Sequence, residues 1–207
     1  MRKIIVSTFL SLDGVMQAPG GPEEDTSGGF TLGGWSFNHW DGAMGEVMAE
    51  NFATPFDLLL GRRTYDLFAS HWSKTGDETG LAFTAAQKYV ATHRPLASDW
   101  ANSHRLGADI VASVRALKAG QGPALSVQGS QSFLQTLIAH DLIDEYRLMI
   151  FPVILGAGRK LFATGSAPQG LKLTKSRISA TGVIMAWYDR AEMAATGSFA
   201  LPENLAP

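Results

Sequence analysis

The sequence predicts one α/β domain built on a largely parallel sheet with helices on both faces. Three observations carry this. Short apolar, β-branched runs alternate with amphipathic stretches, the pattern of strand–helix–strand crossovers. Glycines fall where buried runs give way to helices. Finally, 207 residues that are 45% hydrophobic and 17% charged can bury a substantial core, and no linker or low-complexity stretch divides them.

The elements follow in order. Ile4-Ile5-Val6-Ser7-Thr8-Phe9-Leu10 makes residues 3–11 a buried strand. The basic start Met1-Arg2-Lys3 imitates a secretory leader, but the run after it is short, β-branched and broken by Ser7 and Thr8. No run reaches the roughly 18 apolar residues of a membrane span, so a cytoplasmic protein is expected. Residues 16–36 show little periodicity and much turn chemistry (Pro19-Gly20-Gly21-Pro22, Gly28-Gly29, Gly33-Gly34). A loop this long inside a compact domain is usually a lid or a binding loop; slack is the alternative.

A helix is expected over 41–51, with Asp41 as its cap, Met44, Val47 and Met48 on one face, and Pro55 beyond its end. Residues 56–61 read as a strand, 64–71 as a helix and 88–92 as a short strand. Asp109 caps a helix through Lys118 that closes at Gly120, with Ile110, Val114 and Leu117 as its buried stripe. A strand at 124–128, a helix at 130–140 and a long strand at 145–153 follow. Strands near 171–177 and 182–189, turning at Ala180-Thr181-Gly182, form an antiparallel hairpin that makes the sheet mixed. Residues 1–190 read as the domain, and 191–207 as a loosely ordered tail.

Composition narrows function. Lys and Arg number 17 against 19 Asp and Glu, a net charge of −2, which argues against a protein built to wrap nucleic acid. With no cysteine, disulfides, Cys-ligated zinc and thiol nucleophiles are excluded. The five histidines show no metal spacing, and no nucleophile elbow is present. Glycine is in excess, at 22 residues, which signals either loose loops or backbone that approaches a ligand closely.

Four constellations could carry chemistry. In Leu60-Gly61-Arg62-Arg63-Thr64-Tyr65 a buried strand runs into a helix N-terminus, where free N–H groups, the helix dipole and two arginines favour an anion; a capped helix with solvated arginines is the plainer reading. Val127-Gln128-Gly129-Ser130-Gln131-Ser132 repeats the strand–glycine–helix pattern. Two such turns after neighbouring parallel strands are better evidence than one, because ligands in open α/β sheets sit at the carboxyl ends of strands. Thr92-His93-Arg94 at a strand end suits an extra phosphate monoester, or is a surface loop. Pro152-Val153-Ile154-Leu155-Gly156-Ala157-Gly158-Arg159-Lys160 leaves a strand through a tight basic turn. Asp13, Asp41, Glu46 and Glu50 are the carboxylates available for proton transfer, with bracing a turn and capping a helix the commonest duties of Asp13 and Asp41. Trp35, Phe37 and Trp40 fit either a core or the wall of a flat ligand.

Ser11-Leu12-Asp13-Gly14, Leu60-Gly61-Arg62-Arg63-Thr64-Tyr65, Val127-Gln128-Gly129-Ser130 and Pro152 to Phe162, occurring in this order, resemble the dihydrofolate reductase-like superfamily. Within it they are most similar to the branch containing the reductase domain of the bifunctional riboflavin-biosynthesis deaminase-reductase. The resemblance spans residues 3–189. It implies a dihydrofolate reductase-like, mostly parallel mixed sheet of about eight strands, a homodimer, and NADPH bound across the strand ends. Gly61, Arg62, Arg63 and Thr64 would hold cofactor phosphates, and Thr92 and His93 would lie near the adenosine 2′-phosphate. Gly129, Ser130, Gln131 and Ser132 would meet the pyrophosphate, and Pro152 to Gly158, with Leu155 and Gly156 as cofactor contacts, would pass close to the nicotinamide and substrate pocket. The family's glycine pair is Gly129-Ser130 here. Counting back from Gly61, the nearest counterpart of its folate-contacting carboxylate is Glu46. The implied activity is reduction of a small heterocycle or its sugar conjugate, similar to 5-amino-6-(5-phosphoribosylamino)uracil reductase, with Asp13 or Glu46 as the acid or with water in its place. A non-catalytic NADP(H)- or nucleotide-binding module is the alternative.

Overall fold

The computed structural model describes residues 1–193 and 196–199. Its centre is β1 (Ile4–Ser11), buried on both faces as a central strand is, with Ser7 and Thr8 buried among its apolar residues. On one side of β1 lies β5 (Ala124–Val127), followed by β2 (Phe56–Gly61), β3 (Lys88–Ala91) and β4 (Ser103–Arg105). On the other side stand β6 (Glu145–Phe151), β8 (Ile184–Arg190) and β7 (Leu171–Ile178). Every neighbouring pair is parallel except those made by β8, which runs antiparallel to both β6 and β7. The expected mixed sheet of eight strands is therefore present. The chain passes from β1 outward to β2 and β3, then returns to insert β5 against β1. This reversal leaves the carboxyl ends of β1, β2, β3, β5 and β6 together along one edge, where open α/β sheets bind ligands.

Helices cover both faces. α1 (Gly42–Phe52) is N-capped by Asp41, whose side chain accepts from the Met44 amide at 3.2 Å, and it buries Met44 and Val47 against Met149, Phe151 and Met185. The second carboxylate oxygen of Asp41 accepts from Ala180 N at 3.0 Å, so one side chain ties the helix to the β7–β8 turn. α2 (Arg62–Trp72) begins two residues before the expected start, placing both arginines in its first turn. α4 (Ile110–Ala119) is capped by Asp109, and α5 (Gln131–Ala139) buries Phe133, Leu134, Leu137 and Ile138 in the core beneath β1 and β5.

Two elements were not anticipated. α3 (Glu78–Ala85) contains glycine and two threonines, a weak helical sequence. It forms because Asp77 caps Gly80 N at 2.8 Å and because Phe83 plugs a cluster with Phe52, Phe56, Phe68 and Trp72. β4 has no apolar pattern and exists through its pairing with β3. The expected loose tail from residue 191 falls partly outside the described residues. Among the described residues, no helix is long and apolar enough to cross a membrane.

Candidate functional site

Of the five α-helices among the described residues, three (α1, α3 and α4) carry an aspartate N-cap. The other two do not. α2 starts at Gly61 and α5 at Ser130, neither with a side-chain cap, so their first N–H groups stay available. Both helices open at the same edge of the sheet, from adjacent strands. Close approach explains why glycine occupies both strand ends. A Cβ on Gly61 would lie against the Ser130 hydroxyl and 2.8 Å from the Ser130 amide, and one on Gly129, at φ +151, would lie 2.6 Å from Thr64 Oγ1. With no side chains intervening, Gly61 N donates to Gly129 O at 3.0 Å, and the two helix N-termini share one opening. The Gly129–Ser130 peptide is cis.

That opening is a cleft of about 890 Å³, bounded by Gly61, Arg62, Arg63 and Asp66 on one side and Ser130, Ser132 and Thr136 on the other. Ala91, His93 and the start of α4 close its far end. Uncapped N-termini and two arginines at one cavity are features that favour an anionic group. A dinucleotide fits the residues present, since a side chain at Gly61 or Gly129 would fill the cradle. Arg62 is held in place: its Nε donates to both oxygens of Asp66 at 2.8 and 2.7 Å, and Nη1 donates to the Pro95 carbonyl at 2.7 Å.

A smaller cavity, about 70 Å³, continues from the cleft past Thr64, Gly129 and Gln131 to Gln17, Glu24, Asp25 and Arg159. Here the long loop crosses the site. Asp25 bridges two arginines, meeting Arg63 Nη2 at 2.7 Å and Arg159 Nη1 at 3.1 Å. Ser27 Oγ accepts from both guanidinium groups and donates to Asp25. Gln17 donates to the Asp25 and Ser27 carbonyls at 3.0 Å each and accepts from Arg159 N at 3.0 Å. Burial opposes a charge on Asp25, but the Ser27 hydroxyl and amide, followed by Arg63 and Arg159, outweigh it, and its pKa lies below the ordinary aspartate value. The loop is not slack. Gly33 packs so tightly against the Pro22 carbonyl, 2.7 Å from a Cβ placed there, that the strap crosses itself, and Gly34 N donates to Ala18 O at 2.8 Å.

The remaining expected residues separate. Thr92 is buried, and its hydroxyl accepts from Arg94 N at 3.1 Å. The Leu155 and Gly156 amides donate to the two oxygens of Asp13 at 3.1 and 3.0 Å, and neither residue lines the two cavities. Asp13 also accepts from Ser11 Oγ at 2.6 Å. The Ser11 hydroxyl, helped by those two amides and opposed by burial, holds its pKa below the usual value. Asp13 is thus an ionised brace for the turn after β6. Glu46 stands exposed on α1 without a hydrogen bond or ion pair among the described residues. Trp35 packs edge-on against Phe151 at 5.3 Å, whereas Phe37 is largely open to solvent and Trp40 half so. Sequence reasoning missed Asp25, Ser27, Gln17 and Asp66. Only Asp66 had a local signal, the i,i+4 spacing to Arg62.

A family model described as the RibD C-terminal domain matches residues 2–185. The chain belongs to that family. It is 27% identical over 197 residues to the uncharacterized protein YyaP of Bacillus subtilis (strain 168), covering 90% of this chain and 94% of that protein. Its fold is similar to that of a protein assigned to riboflavin biosynthesis from Shewanella sp. PV-4, with a TM-score of 0.62, 20% identity and coverage of 92% and 99% of the two chains. A pyrimidine reductase-like protein from Corynebacterium diphtheriae gives 0.61 at 13% identity, covering 92% of each. Dihydrofolate reductase from Enterococcus faecalis, solved with NADP(H), gives 0.58 at 11%, covering 92% and 97%. The structural likenesses show the dihydrofolate reductase-like fold, and the family match bears out the branch that the sequence resembles.

Proposed function

We propose that the protein is an NADPH-dependent reductase of a small heterocyclic substrate, free or sugar-conjugated. The observation that carries this reading is the convergence of two uncapped helix N-termini, with Arg62 and Arg63, on one cleft whose strand ends are kept bare by Gly61 and Gly129. NADPH would supply the hydride. The α2 and α5 N-termini, Arg63, Thr64, Gly129, Ser130, Gln131 and Ser132 bind its phosphates, and Arg62 and His93 address the adenosine 2′-phosphate. Arg63 is already paired with Asp25, so the loop must release it before a phosphate takes it. The loop therefore acts as a gate that opens to admit the cofactor. Asp13 positions the 155–156 turn, and the proton comes from water or from Glu46, which makes no hydrogen bond or ion pair among the described residues.

The test is NADPH titration followed by oxidation assays over pteridine, pyrimidine and quinonoid panels. Saturable binding that weakens about tenfold or more in Arg63→Ala, a loss typical of a charged phosphate contact, together with substrate-dependent oxidation, supports the proposal. Tight binding with no turnover across the panels would indicate the non-catalytic module instead. Unchanged binding in both Arg62→Ala and Arg63→Ala would refute the cradle.

A further inference from the structure

β7 is the outermost strand on its side of the sheet and is exposed along nearly its whole length. Its two faces differ in chemistry. Opposed residues of an antiparallel pair share a face, so the register with β8 sorts the side chains. One face carries Lys172, Lys175 and Arg177, opposite Asp189, Trp187 and Met185. The other carries Leu171, Leu173, Ser176 and Ile178, opposite Arg190, Tyr188, Ala186 and Ile184. The register shift between Leu173 and Lys175 makes this sorting possible. One extra residue reverses the alternation, so Leu173 and Ile178 point the same way despite their odd spacing.

The basic face is partnered within the chain. Lys175 and Arg177 pair with Glu50 of α1 at 2.7 and 2.6 Å, and Lys175 lies over the Trp187 ring. The apolar face has no such cover. The cluster beneath α4 and α5 fills that side of the sheet as far as Tyr146, Leu148 and Tyr188. Leu171, Leu173, Ile178 and Ile184 lie outside every packed apolar cluster among the described residues. They are 36, 51, 72 and 41% exposed. Together they leave on the order of 400 Å² of apolar surface bare in one patch, a size typical of interaction sites.

Charge decides what fits there. Antiparallel pairing of two β7 edges would extend the sheet, but it sets Lys172, Lys175 and Arg177 of one copy beside those of the other. Like charges across a strand pair repel, and edge lysines guard against such pairing. Packing face on face avoids this, because the basic sides turn outward while the leucines and isoleucines meet across a two-fold axis. The patch has no ionised side chain at its centre, and Arg190 at its end is paired with Asp141. It therefore offers nothing to a charged partner, whereas a second copy matches it with the same apolar surface. With its polar margin, the patch approaches the roughly 800 Å² that each partner of a standard interface buries.

We infer that two copies of this chain associate face to face through Leu171, Leu173, Ile178 and Ile184 on the β7–β8 side of the sheet. The strand order puts β7 at the opposite margin from β2 and β3, where the large cleft opens. The association thus leaves the cleft free and stands apart from the reading of its ligand.

The test is sedimentation velocity on the full chain at concentrations from about 1 to about 50 μM. The expected result is a dimer. Leu173→Glu/Ile178→Glu, at exposed positions, should raise its dissociation constant about a hundredfold or more, since each charge would be buried unpaired. Circular dichroism and the urea midpoint should stay those of the wild type. Should that double variant unfold, Ile178→Ser alone gives the reading, with about tenfold weaker association expected. Lys172→Gln, on the basic face, should leave the dimer unchanged; under edge pairing it would tighten it. A wild-type chain that is monomeric throughout the range, a dimer indifferent to the β7 apolar variants, or one tightened by Lys172→Gln would each overturn the inference. A monomer whose β7 amides exchange slowly would overturn it too, and would give the face to the chain's own C-terminal residues.

Discussion

Removing the charge of Asp25 should tighten NADPH binding, although Asp25 lies in the site. The side chain is 13% exposed and engages Arg63 and Arg159, whose own exposures are 49% and 42%. Half-exposed ion pairs contribute about 0.5–1 kcal/mol each, so the two together hold the strap by about 1–2 kcal/mol. That corresponds to a factor of about 5–30 between closed and open forms. A ligand that needs the open form has its apparent affinity reduced by that fraction. Asp25→Asn keeps the shape and an acceptor for the Ser27 amide while removing the charge, so the Kd for NADPH should fall about 5–30-fold at low salt. At high ionic strength the difference should shrink, because partly exposed pairs are screened. The assay is energy transfer from tryptophan to bound NADPH, with hydrogen exchange over residues 17–36 reporting the strap. Faster exchange without tighter binding would show that the strap opens but does not compete with phosphate. Weaker NADPH binding in Asp25→Asn would refute the reasoning outright.

Three further outcomes follow from particular contacts. Gly61→Ala places a methyl 2.8 Å from the Ser130 amide; it should cost about 1–3 kcal/mol by overpacking, read by urea unfolding, and should lose NADPH binding even where the variant is fully folded. Lys88 is wholly buried and donates to the carbonyls of Phe83, Thr84 and Ala86 at 2.6, 3.0 and 2.7 Å, over the Trp100 ring. Lys88→Met strands those acceptors and should cost about 2–4 kcal/mol in the same assay. Asp13 has a pKa below its usual 3.8, so its brace is complete above that pH and is lost as pH falls through the depressed value. Exchange of the Leu155 and Gly156 amides should accelerate only in that acidic window, and Asp13→Asn should remove the pH dependence.

The sheet was legible because its strands are apolar runs separated by capped, periodic helices, patterns carried by neighbouring residues. Asp41 and Asp109 announced two helix starts, and both side chains cap as expected. α3 was invisible because its formation depends on Phe83 docking among aromatics up to 31 residues earlier in the chain. The cradle glycines were readable from their place after strands, but the collision that requires them is between Gly61, at the end of β2, and Ser130, at the start of α5, far apart in sequence. The strap was the least legible part. Asp25 meets Arg159 across 134 residues, and nothing in a glycine-rich segment marks one aspartate as the partner of two distant arginines.

On the proposed reading, α2 and α5 together hold the phosphates of NADPH. A crystal structure of the protein with NADPH tests this most directly. The expected result is the pyrophosphate against the N–H groups after Gly61 and Ser130, with Arg63 released from Asp25. A dinucleotide bound elsewhere, or in this cleft with Arg63 still paired to Asp25, would contradict it.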